Sequence, residues 1–329
     1  MLLRELAEDP PPGHWVLWGD STKLAPVAFP GSEIVATSGD PRACFGQRRM
    51  LELPRADITL FMHQIRPLRP RQSVTLIHDT IPLRYGGSSP QRLAKRAFFT
   101  GAARCSTRVL TPSEASRRRI VEDLGVEPDR VDLVRYPLDV ARAREVARLR
   151  KELLQEPVIV YIGRFDRHKN LQRLSLAFAQ TLFARDGGRL RIVGGWPGEV
   201  EPLRAWVQTQ GLRAVEVRPE VDEPELNRLL ATSRALVLPS LEEGYGLPAF
   251  EAAASGLPVA ASRTGAMTEL PAEAAVLFDP SSLDELRAAL DDAVARPTRP
   301  PVSEPGARVA DGVLASLARA LAFRGAGSA

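Results

Sequence analysis

Aromatic residues make up only 6% of the 329-residue chain, and cysteine occurs twice. So few rings speak against a surface that binds single-stranded nucleic acid, where aromatic side chains interleave with basic ones. Cys44 and Cys105 have neither metal-ligand nor disulfide-framework spacing, so both are read as reduced thiols. No uninterrupted apolar run approaches the roughly eighteen residues that a membrane-spanning helix needs. Arg4 and Glu5 interrupt the apolar stretch next to Met1, which argues against a secretory leader and for a cytoplasmic location. No Asp-X-Asp triplet occurs, so a metal-bridged diphosphate is not expected, and neither a metal nor a cofactor is predicted.

Lysine is also scarce, with 4 residues against 40 arginines, and charge is unevenly spread. Residues 1–152 hold 25 Lys+Arg against 18 Asp+Glu, whereas the remainder hold 19 against 22. A basic first half fits either a solvated arginine-rich surface or contact with phosphates or an anionic membrane face. The length favours two domains.

From Pro157 onward, short apolar runs alternate with amphipathic helical stretches, which predicts a parallel sheet flanked by helices. The strands are expected at Val158–Ile162, Leu190–Val193, Ala235–Leu238 and Val259–Ala261. Between and after them, Leu171, Leu174, Phe178 and Leu182, and then Leu283, Leu286, Leu290 and Val294, fall at helical spacing. The first half repeats the alternation less cleanly, with strands expected at Trp15–Trp18, Ile34–Ala36, Ile58–Phe61, Val74–Ile77 and Val109–Leu110. Helices are expected at Leu2–Ala7, Pro90–Ala103 and Ser113–Leu124, the last capped by Ser113. A charged helix over 140–154 ends before Pro157, which places the domain boundary at 152/153. The proline-rich stretch Arg296–Gly306 reads as a linker, and a final helix over Val309–Phe323, within 307–324, is expected to pack back on the first domain. A doubly wound domain ordinarily opens with a central strand and a glycine-rich turn. This chain instead starts in what reads as the helix after them, so either its true start lies upstream or another segment fills the gap.

Two constellations carry chemistry. Pro239-Ser-Leu-Glu-Glu-Gly-Tyr-Gly-Leu-Pro-Ala-Phe-Glu251 follows one apolar strand and opens into an alanine-rich helix. Gly244 and Gly246 allow close backbone approach, and a helix opening near Leu247 and Pro248 aims free N–H groups at an anion. Glu243 and Glu251 either accept hydrogen bonds from sugar hydroxyls or, more simply, are solvated and complement the helix dipole. Gly163-Arg-Phe-Asp-Arg-His-Lys169-Asn170 follows another strand. Arg164 and Lys169 there are either ordinary surface cations or a clamp for a departing diphosphate. One of only four lysines falling in this loop favours the clamp.

Together these motifs resemble glycosyltransferase family 4, the large family of retaining enzymes of GT-B architecture, in its mannosyltransferase-like branch. The resemblance covers about Leu2 to Phe323 and is strongest in the second half. It implies two Rossmann-like doubly wound α/β domains facing across a cleft: an acceptor-side domain over 1–152 with the returning C-terminal helix, and a nucleotide-sugar domain over 153–300. It implies that Arg164 and Lys169 hold the donor diphosphate, that Glu243 contacts the donor sugar and Glu251 the ribose, and that the loop Gly244, Tyr245, Gly246 and Leu247 supplies backbone contacts. Ser262–Glu269 resembles a further loop near the donor. Thr75-Leu-Ile-His-Asp-Thr-Ile-Pro-Leu83 resembles the family's His-Asp segment, which places His78 near the reacting centre and His63 in a lesser role. The implied donor is GDP-mannose or another nucleoside diphosphate hexose. The implied acceptor is a glycan or lipid-linked saccharide in cell-surface polysaccharide synthesis, with peripheral contact at the inner face of the membrane through the basic first domain and no nucleic-acid partner. Two departures stand out: the opening glycine-rich turn is missing, and Arg135-Tyr-Pro-Leu-Asp139 replaces an Asn-Gly turn. A GT-B epimerase or hydrolase, and a non-catalytic or truncated nucleotide-sugar-binding protein, are the alternatives. Product analysis separates the first, and the upstream genomic sequence bears on the second.

Overall fold

Strands buried on both faces read as unbroken apolar runs, and Ala235–Leu238 and Val259–Ser262 are buried at every position. The computed structural model describes residues 9, 14–19, 32–36, 56–63, 72–85, 87–136, 138–196, 198–301 and 309–326. The helix expected at Leu2–Ala7, Cys44 and the 302–306 end of the linker lie outside them. The chain divides into two compact units, Met1–Pro137 with Ala307–Ala329, and Leu138–Gly306.

In the second unit, β7 (Val158–Gly163), β8 (Arg189–Gly194), β9 (Val215–Arg218), β10 (Ala235–Leu238), β11 (Val259–Ser262) and β12 (Ala275–Phe278) form one sheet in the order β12-β11-β10-β7-β8-β9. Every pairing is parallel, with Val158 opposite Arg189 and Gly163 opposite Gly194 at the β7/β8 seam. This is a doubly wound order whose direction of winding reverses between β7 and β10, so the crevice at their carboxyl ends is where such a sheet takes a ligand. Both chemical constellations begin at those two strand ends. Tyr161, Ile159, Leu190, Ile192, Phe178 and Phe278 are fully buried in this unit's core.

The strands β9 and β12 were not among those expected. Each spans four residues, and β9, at the sheet edge, alternates buried and half-exposed residues, too short a pattern to separate from a loop. The helix Val140–Glu152 belongs to the second unit, so the break falls before Leu138 and not at 152/153. The reason is Arg150. Its buried guanidinium donates to the carbonyl oxygens of Leu230, Ala231 and Ser233 at 2.8–3.1 Å, satisfying the end of the helix Glu223–Thr232, and to the Thr298 hydroxyl at 3.0 Å. Burial and nearby Arg234 push its pKa down to about 10.

In the first unit, β1 (Trp15–Gly19) pairs in parallel with β2 (Ser32–Ala36), and β3 (Thr59–Phe61), β4 (Ser73–Leu76), β5 (Arg108–Thr111) and β6 (Val131–Leu133) form a parallel sheet in that order. The three-residue β6 was also unexpected. The sheet buries two apolar clusters. One joins Val74, Leu76, Leu110 and Val134 to Leu17 and to Ala310, Val313, Leu317 and Ala320 of the helix Val309–Ala326. The other packs Ile77 and Val109 on Phe99, Ala103, Ile120 and Leu124 of the helices Ser89–Arg104 and Glu114–Leu124. Ser113 caps the second of these, accepting the Ser116 N–H at 3.0 Å. Asp132 on β6 ties the returning helix down: Arg108 grips it at 2.5 and 2.7 Å, Arg319 stands 3.0 Å away, and Ser316 donates to it.

Candidate functional site

Beyond β7 the chain turns through Arg164–Asn170, and the buried Tyr161 hydroxyl anchors this loop by donating to the Arg164 carbonyl at 2.6 Å. Burial, reinforced by the charge of Glu243, raises the Tyr161 pKa well above its usual value, so the phenol stays a donor. Two further links stitch this loop to the one after β10. The Leu241 N–H donates to the His168 carbonyl at 2.7 Å, and the Asn170 amide donates to the Pro239 carbonyl at 3.2 Å, as well as to the Pro280 carbonyl after β12 at 3.0 Å. Asn170 holds a left-handed backbone (φ 59°), a conformation its short polar side chain tolerates.

Lys169 and Glu243 meet where the loops join. The ammonium lies 2.8 Å from Glu243 Oε2, with side chains 15% and 9% exposed, and the Ser240 hydroxyl donates to the same oxygen at 2.9 Å. Among the described residues both donors to this carboxylate fall on Oε2, which leaves Oε1 to accept from another partner. Gly246 opens the helix Leu247–Ala254 with φ 76°, and a methyl there would sit 2.2 Å from the Met267 side chain and 3.1 Å from Glu243 Cγ. Gly265, in the loop expected near a donor, has φ 55°; its added methyl would lie 1.9 Å from the Glu243 carbonyl oxygen. Glycine at both positions lets three backbone segments close on Glu243. Gly244, Tyr245 and Gly246 are buried, and the Tyr245 ring stacks on Phe250 at 4.8 Å.

Arg164 stands apart from that pair. Its side chain is 59% exposed, and the guanidinium lies 3.0 Å from Asp166 and sits over the Trp196 ring at 5.3 Å from the centroid. Glu251 also has its own cation: Arg142 Nη1 lies 3.5 Å from its Oε2. Burial raises the Glu251 pKa, with Arg142 opposing and Asp139 and Glu223 adding to the rise. His168 is pushed down by burial and by Lys169. Sequence reasoning missed Arg142, Ser240 and Trp196. Ser240 sits inside the motif and was legible as a short-range donor; the other two become visible only through the fold.

In the first unit, His78 follows β4, and its Nδ1 shares a hydrogen bond with the Tyr136 hydroxyl. The His63 ring, on an exposed residue, lies 5.9 Å away. Burial, and then His63, lowers the His78 pKa, so its ring is neutral at pH 7. Asp79 accepts the Ile81 N–H at 2.9 Å and shapes the turn into the helix Pro82–Tyr85. Among the described residues no group of three or more His, Cys, Asp or Glu side chains could hold a metal ion, and no helix is long and apolar enough to cross a membrane.

A family model described as glycosyl transferases group 1 matches residues 145–304, the stretch holding the sheet β7–β12 and both loops. Through this stretch the chain is similar to the group 1 glycosyl transferases. The chain is 32% identical over 192 residues to the MMP alpha-(1->4)-mannosyltransferase of Mycolicibacterium hassiacum, covering 57% of this chain and 45% of that protein. It is 26% identical over 235 residues to the O-antigen chain mannosyltransferase B of Escherichia coli, covering 68% and 61%. The chain spans about half the length of the relatives it matches. The crystal structure of Anabaena HepE in complex with UDP and glucose superposes with a TM-score of 0.65 at 16% identity, covering 96% of this chain and 100% of that one. With its parallel four-stranded and six-stranded sheets, the chain has the GT-B type of α/β fold.

Proposed function

We propose that this chain is a group 1 glycosyl transferase and moves a hexose from a nucleoside diphosphate sugar to a glycan or lipid-linked acceptor, with retention of configuration and no metal. The observation that carries the reading is the partly buried Lys169–Glu243 pair at the switch point of the second sheet, with Glu243 Oε1 left over among the described residues. In transfer, the bond from the anomeric carbon to the diphosphate oxygen breaks, and one to the acceptor oxygen forms on the same face. The departing diphosphate gains charge. Lys169, Arg164 and the N–H groups opening the helix at Leu247 suit that charge, and donors already fixed in place need little reorganisation. Glu243 accepts from the sugar hydroxyls, Glu251 from the ribose, and Gly244 to Leu247 bring backbone close to the donor. His78 serves the reacting centre as a neutral imidazole. Mannose is the favoured sugar, because two relatives bear mannosyltransferase names. Cell-surface polysaccharide, reached from the cytoplasmic side through the basic first domain, is the favoured destination.

A thermal-shift panel of GDP, UDP, dTDP and ADP, with and without magnesium, tests the donor site. A ligand at a hundred times its Kd adds about 2.7 kcal/mol, or roughly 5–10 °C for a unit of this size. One nucleotide should give that shift without magnesium, and Arg164→Ala should remove most of it. Stabilisation by none of the four sinks the reading, and a released free sugar or an epimerised donor redirects it to a hydrolase or an epimerase.

A further inference from the structure

Arg142 is an expensive residue to keep where it is. It lies in the first turn of the helix Val140–Glu152, where a cation opposes the helix dipole. Its side chain is only 16% exposed. Nε donates to the Asn227 side chain at 2.8 Å, Nη1 faces Glu251 at 3.5 Å, and Nη2 is shut off from solvent and has no hydrogen-bond partner among the described residues. A buried donor left unsatisfied destabilises the fold, so packing alone gives no reason for a guanidinium here.

Its surroundings do. Glu251 sits in the helix Leu247–Ala254, and three charged groups bear on it: Arg142 and Asp139 from the turn opening one neighbouring helix, and Glu223 from the start of another. Two of the three are carboxylates, and Arg142 is the cation that offsets them. A vicinal diol presents two O–H donors, which an ionised carboxylate can accept together, whereas a protonated one has less acceptor capacity.

We infer that Arg142 is a positioning residue that holds Glu251 ionised and oriented toward the ribose diol, and so sets the preference for ribonucleoside over deoxyribonucleoside donors. This rests on the reading of Glu251 as the ribose ligand. Asn227 fixes the guanidinium from its far side and belongs to the same device.

Calorimetry of GDP with 2′-deoxy-GDP, and of UDP with 2′-deoxy-UDP, across pH 5.5–8.5 tests it on the full chain. Wild type should prefer the ribonucleotide about tenfold or more, the worth of a hydrogen bond to a charged group. Arg142→Met should lose that preference while binding the deoxynucleotide as wild type does. Its residual ribonucleotide binding should fail at a higher pH on acidification, because Glu251 takes up its proton earlier. Arg142→Lys should restore most of both effects. If Arg142→Met fails to fold, Arg142→Gln, which keeps an amide near Asn227, is read in its place. A folded variant with unchanged preference and pH profile, or with equal losses for both nucleotides, overturns the inference alone. A wild type that binds without any preference for ribose, or binds none of the four, overturns the ribose role of Glu251 and the inference with it.

Discussion

Replacing Lys169 with methionine should cost about 3 kcal/mol of stability, and the structure says why. At 2.8 Å from Glu243 the pair attracts by about 6 kcal/mol at an effective dielectric of 20. Taking both charges out of water offsets most of that, so the intact pair adds little net. Removing one partner is a different matter. Methionine keeps the volume, so the cavity contribution is small, but Glu243 is left buried with only the Ser240 hydroxyl on its carboxylate. Breaking buried pairs in this way costs about 3–5 kcal/mol, and the residual exposure of Lys169 and Glu243, 15% and 9%, argues for the lower end. For a unit of this size that is roughly 6–12 °C in Tm. The double variant Lys169→Met/Glu243→Gln removes both charges and should return to within about 1 kcal/mol of wild type. Urea unfolding of the full chain, followed by tryptophan fluorescence, measures all three. A single variant within 1 kcal/mol of wild type, or a double variant no better than the single, refutes the reasoning, because Glu243 would then be adequately solvated without its lysine.

Three further outcomes follow from the contacts. Gly265→Ala forces a methyl onto the Glu243 carbonyl from a positive-φ position, so it should lose about 2–3 kcal/mol in urea unfolding and weaken nucleotide binding together. Arg150→Met strips the buried Leu230 and Ser233 carbonyls of their donor and leaves that of Ala231 to Gln155 alone, so it should lower stability by about 3 kcal/mol in the same assay, with nucleotide affinity per folded molecule unchanged. For Asp132, burial alone would raise the pKa, but the hydrogen bonds from Arg108 and Ser316 and the charges of Arg108 and Arg319 outweigh it and hold the folded value down. The stabilisation is therefore complete above the unfolded value of about 3.9 and fades as pH falls through the lower folded value. Asp132→Asn should be weaker than wild type by about 1.5–3 kcal/mol at pH 7, and the gap should close on acidification below about pH 3.9.

The residues legible in the sequence were those whose message is local. Val158–Ile162 and Ala235–Leu238 could be read as strands because a strand buried on both faces needs apolar side chains at every position, and the loops after them stood out because glycine, proline and charge cluster there. The edge strand Val215–Arg218 carries no such run, and Val131–Leu133 is too short for any period to show. The helix Val140–Glu152 was legible as a helix but not in its allegiance. Its charged composition reads as a solvated surface, and only the fold reveals that Arg150 is buried against the end of a helix eighty residues further along. The ion partners of Glu243 and Glu251 were hidden for the same reason: strand order, not spacing, decides which cation reaches which carboxylate.

The two carboxylates of one motif are thereby given different chemistry by their cations. Lysine offers Glu243 a compact charge that, with Ser240, occupies one oxygen at hydrogen-bonding distance and leaves the other open. Arginine offers Glu251 a planar fork at 3.5 Å, fixed in place by Asn227 and not closed on the carboxylate. A carboxylate held by half can exchange partners as a sugar ring turns through its reaction, whereas one steadied from a distance keeps both oxygens for a ligand that must not move. That division suits the roles proposed for Glu243 at the hexose and Glu251 at the ribose, and it arises because the winding of the sheet sets β7 beside β10 while the helix Val140–Glu152 joins the second unit from outside the sheet.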